Sequence, residues 1–133
     1  MEQWLDVGHG SCVLRRPECA CLVDGTLQHF EGQRRALIAS IVMPNHVHAL
    51  FAQNAERPLE KILRSWKSFT SRRINALLGR DGGLWQRDYF DRLVRDEKHF
   101  ANCVHYIRRN PRRARLRDRE YILYESDLAR SIE

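Results

Sequence analysis

A chain of 133 residues has the length of one domain and enough residues to bury a core. Its 23 Lys and Arg against 17 Asp and Glu give a net charge of +6, which favours a polyanionic partner such as DNA or RNA. A basic protein without a nucleic-acid partner stays open as the alternative. No apolar run approaches the roughly 18 residues of a membrane span, and no signal-peptide core stands near the start. We therefore expect no membrane partner and a location in the cytoplasm, at the nucleoid.

The first half of the chain predicts a loop, a helix and a strand pair. Residues 4–14, which begin at Trp4 and contain Gly8 and Gly10, favour a loop that leads into a short extended piece at residues 12–14. Pro17 suits the first turn of a helix that apolar spacing extends to Gly32. Residues 35–43 are typical of a buried strand, and Pro44-Asn45 of a tight turn. Residues 46–52 are then expected to form the antiparallel partner strand.

The second half predicts two helices around a third strand. The longer helix covers about residues 58–78, with one apolar stripe and several Lys and Arg outside it. A strand at residues 89–93 follows. Asp96 is a good N-cap for a helix that runs to Asn110, where Pro111 ends or kinks it. Residues 117–133 are interpreted as a C-terminal tail of the single domain 1–133, with an amphipathic segment near its end.

Two histidines in the second strand form a candidate metal site. If residues 46–50 are extended, His46 and His48 point to the same side of the strand, about 6–7 Å apart. Two imidazoles at that spacing can close on one divalent ion, while Val47 and Ala49 pack on the other face. An isolated His-x-His pair is, however, also typical of hydrogen-bonded core histidines.

A tyrosine and an asparagine in the last helix complete the candidate site. Tyr106 and Asn110 are four residues apart and therefore neighbours on one helix face. A helix that placed this face over the histidines would give an ion two nitrogen ligands, an amide oxygen and an adjacent phenol. Open coordination positions in such a mixed set suit Mg²⁺ or Mn²⁺, and imidazoles also accept Zn²⁺. The alternatives are a core tyrosine and a helix-capping asparagine.

Several motifs, in this order, resemble the REP-associated tyrosine transposases, a branch of the HUH single-tyrosine transposases. The shared motifs are Trp4-Leu5-Asp6 with Gly8-His9-Gly10 and Cys12-Val13-Leu14, Val42-Met43-Pro44-Asn45-His46-Val47-His48, Trp66-Lys67-Ser68 with Ile74-Asn75, Leu84-Trp85-Gln86-Arg87-Asp88-Tyr89-Phe90-Asp91-Arg92, and Tyr106-Ile107-Arg108-Arg109-Asn110-Pro111. The resemblance implies an α+β fold with a ferredoxin-like antiparallel sheet flanked by helices. Family members usually carry another strand before Trp-Leu-Asp, so whether the first strand is missing stays open.

The resemblance also implies a chemistry and its residues. It implies a metal-dependent endonuclease and strand transferase that cuts single-stranded DNA near a hairpin and serves transposition, a form of DNA recombination. By position, His46 and His48 would be metal ligands, Asn110 the third ligand, and Tyr106 the nucleophile that forms a 5′-phosphotyrosine. Tyr89, Tyr121 and Tyr124 are rival nucleophiles without an amide partner four residues on.

Basic residues on the two helices and the third strand are candidate DNA contacts. They are Lys61, Arg64, Lys67, Arg72, Arg73, Arg87, Arg92, Arg109 and Arg113. A solvated helix face is the alternative for each of them.

Two other functions and the assembly stay open. The chain is either an active enzyme or a catalytically inactive, truncated module that binds hairpin DNA. A zinc hydrolase that uses the histidines without the tyrosine is a third hypothesis. The active site lies within one chain or is shared in a homodimer.

Overall fold

The structure is a computed structural model, and it describes residues 2–9, 13–29, 37–52 and 59–133. Within these ranges, the side chains of residues 2, 3, 9, 29, 59, 62 and 86–92 are outside the description. The elements are β1 (Glu2–His9), α1 (Pro17–His29), β2 (Leu37–Val42), β3 (His46–Ala52), α2 (Leu59–Leu78), β4 (Trp85–Leu93), α3 (Glu97–Arg113), β5 (Ile122–Glu125) and α4 (Asp127–Arg130). In the described ranges, no helix is both long and apolar enough to span a membrane.

The five strands form one antiparallel sheet in the order β4-β1-β3-β2-β5. The first four strands, with α1 and α2 between them, have the βαββαβ connectivity and the strand order of a ferredoxin-like fold. The expected α+β class with an antiparallel sheet and flanking helices is therefore confirmed.

Strand β1 corrects two expectations. The segment predicted as a loop is extended and pairs with β3 on one side and β4 on the other. Gly8 pairs directly with His46 of β3 and lies at a register shift between Val7 and His9 in the pairing of β1 with β4, so this glycine lies within a strand at an irregularity, a position at which glycine is common. The ferredoxin-like order does not lack its first strand, because the Trp4-Leu5-Asp6 segment is that strand.

The β2–β3 hairpin is as predicted. Val42 pairs with Val47, and the backbone N–H of Met43 donates to the carbonyl of His46 at 2.8 Å across the Pro44-Asn45 turn. A two-residue connection fixes the register of the hairpin. The register in turn decides which side of the sheet His46 and His48 face.

The sheet is covered on both faces, and the two faces have separate cores. One core joins β1 and β3 to α1 and α2 and includes the fully buried Trp66 and Val47. The other core joins the opposite face to α3 and α4 and includes Leu50, Val104 and Ile107. Alternate residues of β3 therefore serve different cores, as period-two side-chain geometry requires.

Helix α3 starts as predicted and ends later than expected. The Asp96 carboxylate accepts from the backbone N–H of His99 at 2.7 Å, which confirms Asp96 as the N-cap. Pro111 lies inside the helix, which continues to Arg113, so the predicted end at Asn110 is wrong, and of the two alternatives for Pro111, a helix end or a kink, the helix end is excluded. The final turn is closed by a bond from the N–H of Leu116 to the Pro111 carbonyl at 2.8 Å.

The C-terminal tail is part of the fold rather than an appendage. Strand β5 pairs with β2 at the edge of the sheet, and Ala129 of α4 is fully buried in the α3-side core. The guanidinium of Arg108 donates to the Glu125 carboxylate at 2.8 Å. These contacts attach residues 122–133 to the helix that carries Tyr106.

Candidate active site

The two histidines lie on the α3 side of β3. His48 is 5% exposed and His46 is half-buried, while Val47 and Ala49 are buried in the other core. The two rings are nearly parallel, at 9°, with centroids 5.9 Å apart. The predicted alternation along this strand is therefore confirmed.

Tyr106 of α3 lies against His48. Their ring centroids are 5.3 Å apart at an interplanar angle of 85°, an edge-to-face contact. Tyr106 is 41% exposed, because it sits at the edge of the apolar stripe that binds α3 to the sheet. The structure therefore brings this phenol and the His-x-His pair together within one chain.

Trp4 of β1 packs against both rings of the Tyr106–His48 contact. Its ring stacks on His48 at 5.5 Å and meets the edge of Tyr106 at 5.5 Å. From the sequence, Trp4 was expected in a loop and without a role in the site. The signal was present in the alternation of Trp4, Asp6 and Gly8, which share one face of the strand.

Asp6 is paired with His48 in the strand register, and one carboxylate oxygen lies 3.7 Å from Nδ1 of His48. Burial lowers the pKa of His48 below its ordinary value. Asp6 opposes this shift by raising the pKa, and the neighbouring His46 lowers it further. The net result is a neutral imidazole near pH 7, the form that binds metal ions.

The donor set fits a divalent ion. Nδ1 of His46 lies 3.1 Å from the side-chain oxygen of Asn45, and Nδ1 of His48 faces Asp6 without a hydrogen bond. An oxygen beside each Nδ1 favours the tautomer that leaves Nε2 free as the ligand atom. Both rings are thus arranged so that a second nitrogen remains for an ion.

Asn110 lies one helical turn beyond Tyr106, as the spacing predicts. It is only 9% exposed, and its carboxamide nitrogen is buried without a hydrogen-bond partner among the described residues. Burying an amide without a partner costs free energy. A function other than folding is the simplest reason to keep such a group, and the amide oxygen is a suitable ligand for Mg²⁺ or Mn²⁺. Metal ions also bind Asp and Glu, but no group of three His, Cys, Asp or Glu able to hold one occurs in the described part of the chain.

The predicted DNA-contacting residues fall into separate groups. Arg109 and Arg113 are exposed on α3, and the Arg113 guanidinium lies 5.7 Å from the centroid of the Tyr106 ring. The α2 residues lie on the outer layer of the opposite face of the sheet, because α2 packs in the other core. They are Lys61, Arg64, Lys67, Arg72 and Arg73, of which Lys67 is half-buried and the others are exposed.

Several of the α2 cations have partners of their own, among them Arg72, whose Nε donates to the Ser68 carbonyl at 3.4 Å. Arg64 pairs with Glu60 at 3.7 Å, and Arg73 lies over the ring of Phe69 at 5.1 Å. Arg87 and Arg92 belong to β4, but their side chains are outside the described part of the structure. The structure therefore brings Arg109 and Arg113, and not the α2 cations, to the face of Tyr106.

Two of the other candidate nucleophiles, Tyr121 and Tyr124, have packing partners other than the two histidines. Tyr121 packs against the α3-side core, and its hydroxyl reaches Asp118 at 3.5 Å. Tyr124 lies in β5 and packs against the core of α1 and α2. The side chain of Tyr89 lies outside the description. Among the described tyrosines, Tyr106 is the one in ring contact with a histidine.

A cavity of about 330 Å³ opens beside the Tyr106–His48 contact. Besides these two residues it is bounded by Trp4 and Asp6 of β1 and by His99, Asn102 and Cys103 of α3. His99, Asn102 and Cys103 were not predicted as site residues from the sequence. His99, Asn102 and Tyr106 nevertheless have the i, i+3, i+7 spacing of one helix face, which could have identified them.

Comparisons with known proteins agree with the motifs. A curated protein of Haemophilus influenzae named as a REP-associated tyrosine transposase is 30% identical over 84 residues, which are 56% of this chain and 48% of that protein. The chain thus spans about half the length of this relative. The resemblance to REP-associated tyrosine transposases is confirmed by this similarity.

Two solved structures share the fold. A REP-associated tyrosine transposase bound to a REP hairpin superposes with a TM-score of 0.65 at 17% identity, over 85% of this chain and 67% of the other. A transposase of Deinococcus radiodurans gives a TM-score of 0.56 at 22% identity, over 81% of this chain and 88% of the other. The family model of IS200-like transposases matches residues 26–110, which include His46, His48, Tyr106 and Asn110. Because this match covers more than half of the chain, the chain belongs to the family of IS200-like transposases.

Proposed function

We propose that the protein is a metal-dependent endonuclease and strand transferase that cuts single-stranded DNA next to a hairpin. Tyr106 is the nucleophile, and His46, His48 and Asn110 hold a divalent ion, Mg²⁺ or Mn²⁺. The enzyme works in the cytoplasm, on the DNA of the nucleoid.

The observation that carries this proposal is the contact between Tyr106 and His48, with ring centroids 5.3 Å apart. The two residues are 58 positions apart in the sequence, yet their rings meet edge to face where α3 packs on β3. A cavity opens beside this contact. A core tyrosine would be buried, whereas 41% of Tyr106 is exposed. An accessible phenol beside a proposed metal ligand is placed to attack a phosphate held by the ion.

The proposed reaction exchanges one phosphodiester bond for another. The phenol oxygen of Tyr106 bonds to the phosphorus as the bond to the 3′ oxygen breaks, and the phenol proton is lost as the 3′ oxygen gains one. The products are a 5′-phosphotyrosine and a free 3′-hydroxyl. Attack by a 3′-hydroxyl on the phosphotyrosine reverses the step and joins strands. A divalent ion at the histidines supplies charge neutralisation on the phosphate and stabilisation of the leaving oxygen.

A nucleic-acid substrate is supported by charge and by the relatives. The net charge is +6, and Arg109 and Arg113 lie on the α3 side with Tyr106. One structural neighbour was solved bound to a REP hairpin. Hairpin DNA with a single-stranded flank is therefore the substrate that we propose.

The contact within one chain supports an active site in cis. Assembly as a homodimer stays a prediction, as does the view of residues 1–133 as one domain.

The test is capture of a covalent adduct. The protein is incubated with a labelled hairpin carrying single-stranded flanks, with Mn²⁺ or with EDTA, and resolved on a denaturing gel. We expect a protein–DNA adduct that requires Mn²⁺ and disappears in Tyr106→Phe. Tyr121→Phe and Tyr124→Phe are matched controls that should retain it.

Two other results would replace the proposal with one of its alternatives. Hairpin binding without any adduct in the unmodified protein would indicate a binding module that does not cut. Phosphodiester turnover that persists in Tyr106→Phe, with zinc found by metal analysis, would indicate a zinc hydrolase.

A further inference from the structure

We propose that the cavity beside Tyr106 holds one unpaired base of the DNA, adjacent to the phosphate that Tyr106 attacks, and selects a base that carries an amino group. This inference rests on the proposed function and names the specificity element of the same site. It assigns roles to His99 and Asn102, which the proposed reaction does not use, and a second role to Asp6 besides its position next to His48.

The size and walls of the cavity suit a single base. Its volume of about 330 Å³ is at the lower end of the range for small-ligand sites, roughly 300–1,000 Å³. Trp4 and Tyr106 provide aromatic surface, and Cys103 adds a small apolar one. Unpaired bases bind to such surfaces, because each base has an apolar face. The cavity begins at the tyrosine itself, so its occupant must lie next to the attacked phosphate.

Asp6 is the group that favours a base over a phosphate. A carboxylate repels phosphate, so a carboxylate in the wall of a DNA site is suited to a base edge. Its side chain is 33% exposed, and at 3.7 Å from Nδ1 of His48 it is too far for a hydrogen bond. The carboxylate therefore retains accepting capacity on the cavity side. Cytosine, adenine and guanine each carry an amino donor for it, whereas the single donor of unpaired thymine, N3–H, lies between two carbonyl oxygens that repel a carboxylate.

His99 and Asn102 add the complementary groups. Nδ1 of His99 accepts a hydrogen bond from the backbone N–H of Arg95 at 3.1 Å. This acceptor role places the proton of the neutral ring on Nε2, which is then a donor. Asn102 is exposed and lines the same cavity, and its carboxamide can both donate and accept. The wall thus offers acceptors at Asp6 and donors at α3, which is the mixed pattern that a base edge requires.

The test measures base preference in binding, independently of cleavage. Tyr106→Phe is used as the parent because it cannot form an adduct. It is mixed with hairpins whose single-stranded flanks are randomised, with Mn²⁺ present, and the bound and unbound fractions are sequenced. We expect one flank position at which thymine is disfavoured by about tenfold, the size of one hydrogen-bonded base contact.

Two variants of this parent assign the preference to the cavity. Asp6→Asn should remove the discrimination against thymine, since a carboxamide can donate to thymine as well as accept. Asn102→Ala should weaken the preference at the same position, and it alters a surface residue whose loss does not threaten folding. Asp81→Asn makes the same charge change in an exposed loop outside the cavity and should leave the preference intact.

The outcomes separate this inference from the proposed function. A flank without any base preference, or a preference that survives both Asp6→Asn and Asn102→Ala, overturns the base-binding role. Failure of the unmodified protein to form an adduct overturns the proposed cleavage but leaves the binding measurement valid. Absence of any hairpin binding by the parent would overturn both.

Discussion

Burial of His48 links the candidate site to the stability of the fold. An imidazole that is 5% exposed and lacks a hydrogen bond at Nδ1 resists protonation, so burial lowers its pKa. The same neutral state is the one that a metal ion requires. A pH titration of stability therefore examines the site without any substrate.

We expect the protein to lose stability as the pH falls below 6.5. The unfolded chain takes up a proton on His48 near its ordinary pKa of 6.5, whereas the folded chain does so only at lower pH. Because the unfolded state then binds more protons, the free energy of unfolding falls as the pH falls through this window. Above pH 6.5, the protonation of His48 no longer changes the free energy of unfolding. Urea unfolding at pH 7.5, 6.5 and 5.5, with EDTA present, measures the effect.

His48→Gln should flatten this pH dependence, and His105→Gln is the matched control. His105 is half-buried on α3, and its ring bonds the carbonyl of Glu133 rather than lining the cavity. A pH dependence of unfolding that is unchanged in His48→Gln would contradict the assignment to His48.

A second prediction for a single residue concerns a DNA contact of Arg113. Its guanidinium lies 5.7 Å from the centre of the Tyr106 ring and is therefore placed to contact a phosphate attacked by that tyrosine. We expect Arg113→Ala to weaken hairpin binding and to reduce the slope of log affinity against log salt by about 1, the change for one lost phosphate contact. Arg130→Ala, on α4, should leave the slope unchanged. Equal slopes in all three proteins would exclude a phosphate contact at Arg113.

At the scale of elements, the end of α3 stores strain that a glycine would relieve. Arg115 has φ of 57°, and its N–H bonds the Arg112 carbonyl while the N–H of Leu116 bonds that of Pro111. This is the Schellman arrangement, in which glycine is the usual residue at the left-handed position. The side chain of Arg115 costs about 1–2 kcal/mol in this conformation.

We expect Arg115→Gly to raise the free energy of unfolding by about 0.5–1 kcal/mol, after the greater entropy of glycine in the unfolded chain is subtracted. Arg112→Gly makes the same exchange at a helical position of the last turn and should destabilise the protein by about 0.5–1 kcal/mol. Chemical unfolding of the two variants measures the difference. Destabilisation by both would mean that the strain at Arg115 is compensated by contacts of its side chain.

The sequence predicted those elements whose signals are local. The β2–β3 hairpin and the N-cap of α3 depend on neighbouring residues, and both are confirmed. Strand β1 was mistaken for a loop because Gly8 and Gly10 suggest a turn, whereas β1 pairs with β3 and β4, two strands that are distant in sequence, and these keep the segment extended although Gly8 lies at a register shift. Pro111 was expected to end or kink α3, but the helix continues past it, since the loss of one N–H in the last turn is tolerated there.

The candidate site has the same division between local and distant signals. His46 and His48 point to the same side because side chains alternate along a strand. Tyr106 and Asn110 are neighbours because residues four apart share one face of a helix. That α3 crosses β3 at Tyr106 is a property of tertiary packing, and the sequence indicated it only through family resemblance. Trp4 and Asp6 were overlooked because their strand was not recognised.

For the whole molecule, the tail positions the helix that carries Tyr106. The guanidinium of Arg108 bonds Glu125 of β5 at 2.8 Å and the carbonyls of Ile132 at 2.9 Å and Ala129 at 3.1 Å. One side chain of α3 thus connects the sheet edge and α4. Its neighbour Arg109 is exposed. Adjacent arginines of one helix therefore serve different purposes, one internal and one directed to solvent.

We expect Arg108→Ala and Arg109→Ala to have opposite effects. Arg108→Ala leaves Glu125, whose side chain is 16% exposed, without its ionic partner and should lower the free energy of unfolding by about 2–3 kcal/mol. Arg109→Ala should leave stability within about 0.5 kcal/mol and weaken hairpin binding. Urea unfolding and fluorescence anisotropy with labelled hairpin DNA separate the two.

The double variant Arg108→Ala with Glu125→Ala distinguishes the cause. Removing both partners avoids leaving one charge buried alone, so part of the lost stability should return. If the double variant is as unstable as the sum of the two single ones, the guanidinium stabilises the tail through the carbonyls of Ala129 and Ile132 instead. In that case Tyr106 would depend on α4, and not on β5, for the position of its helix over the histidines.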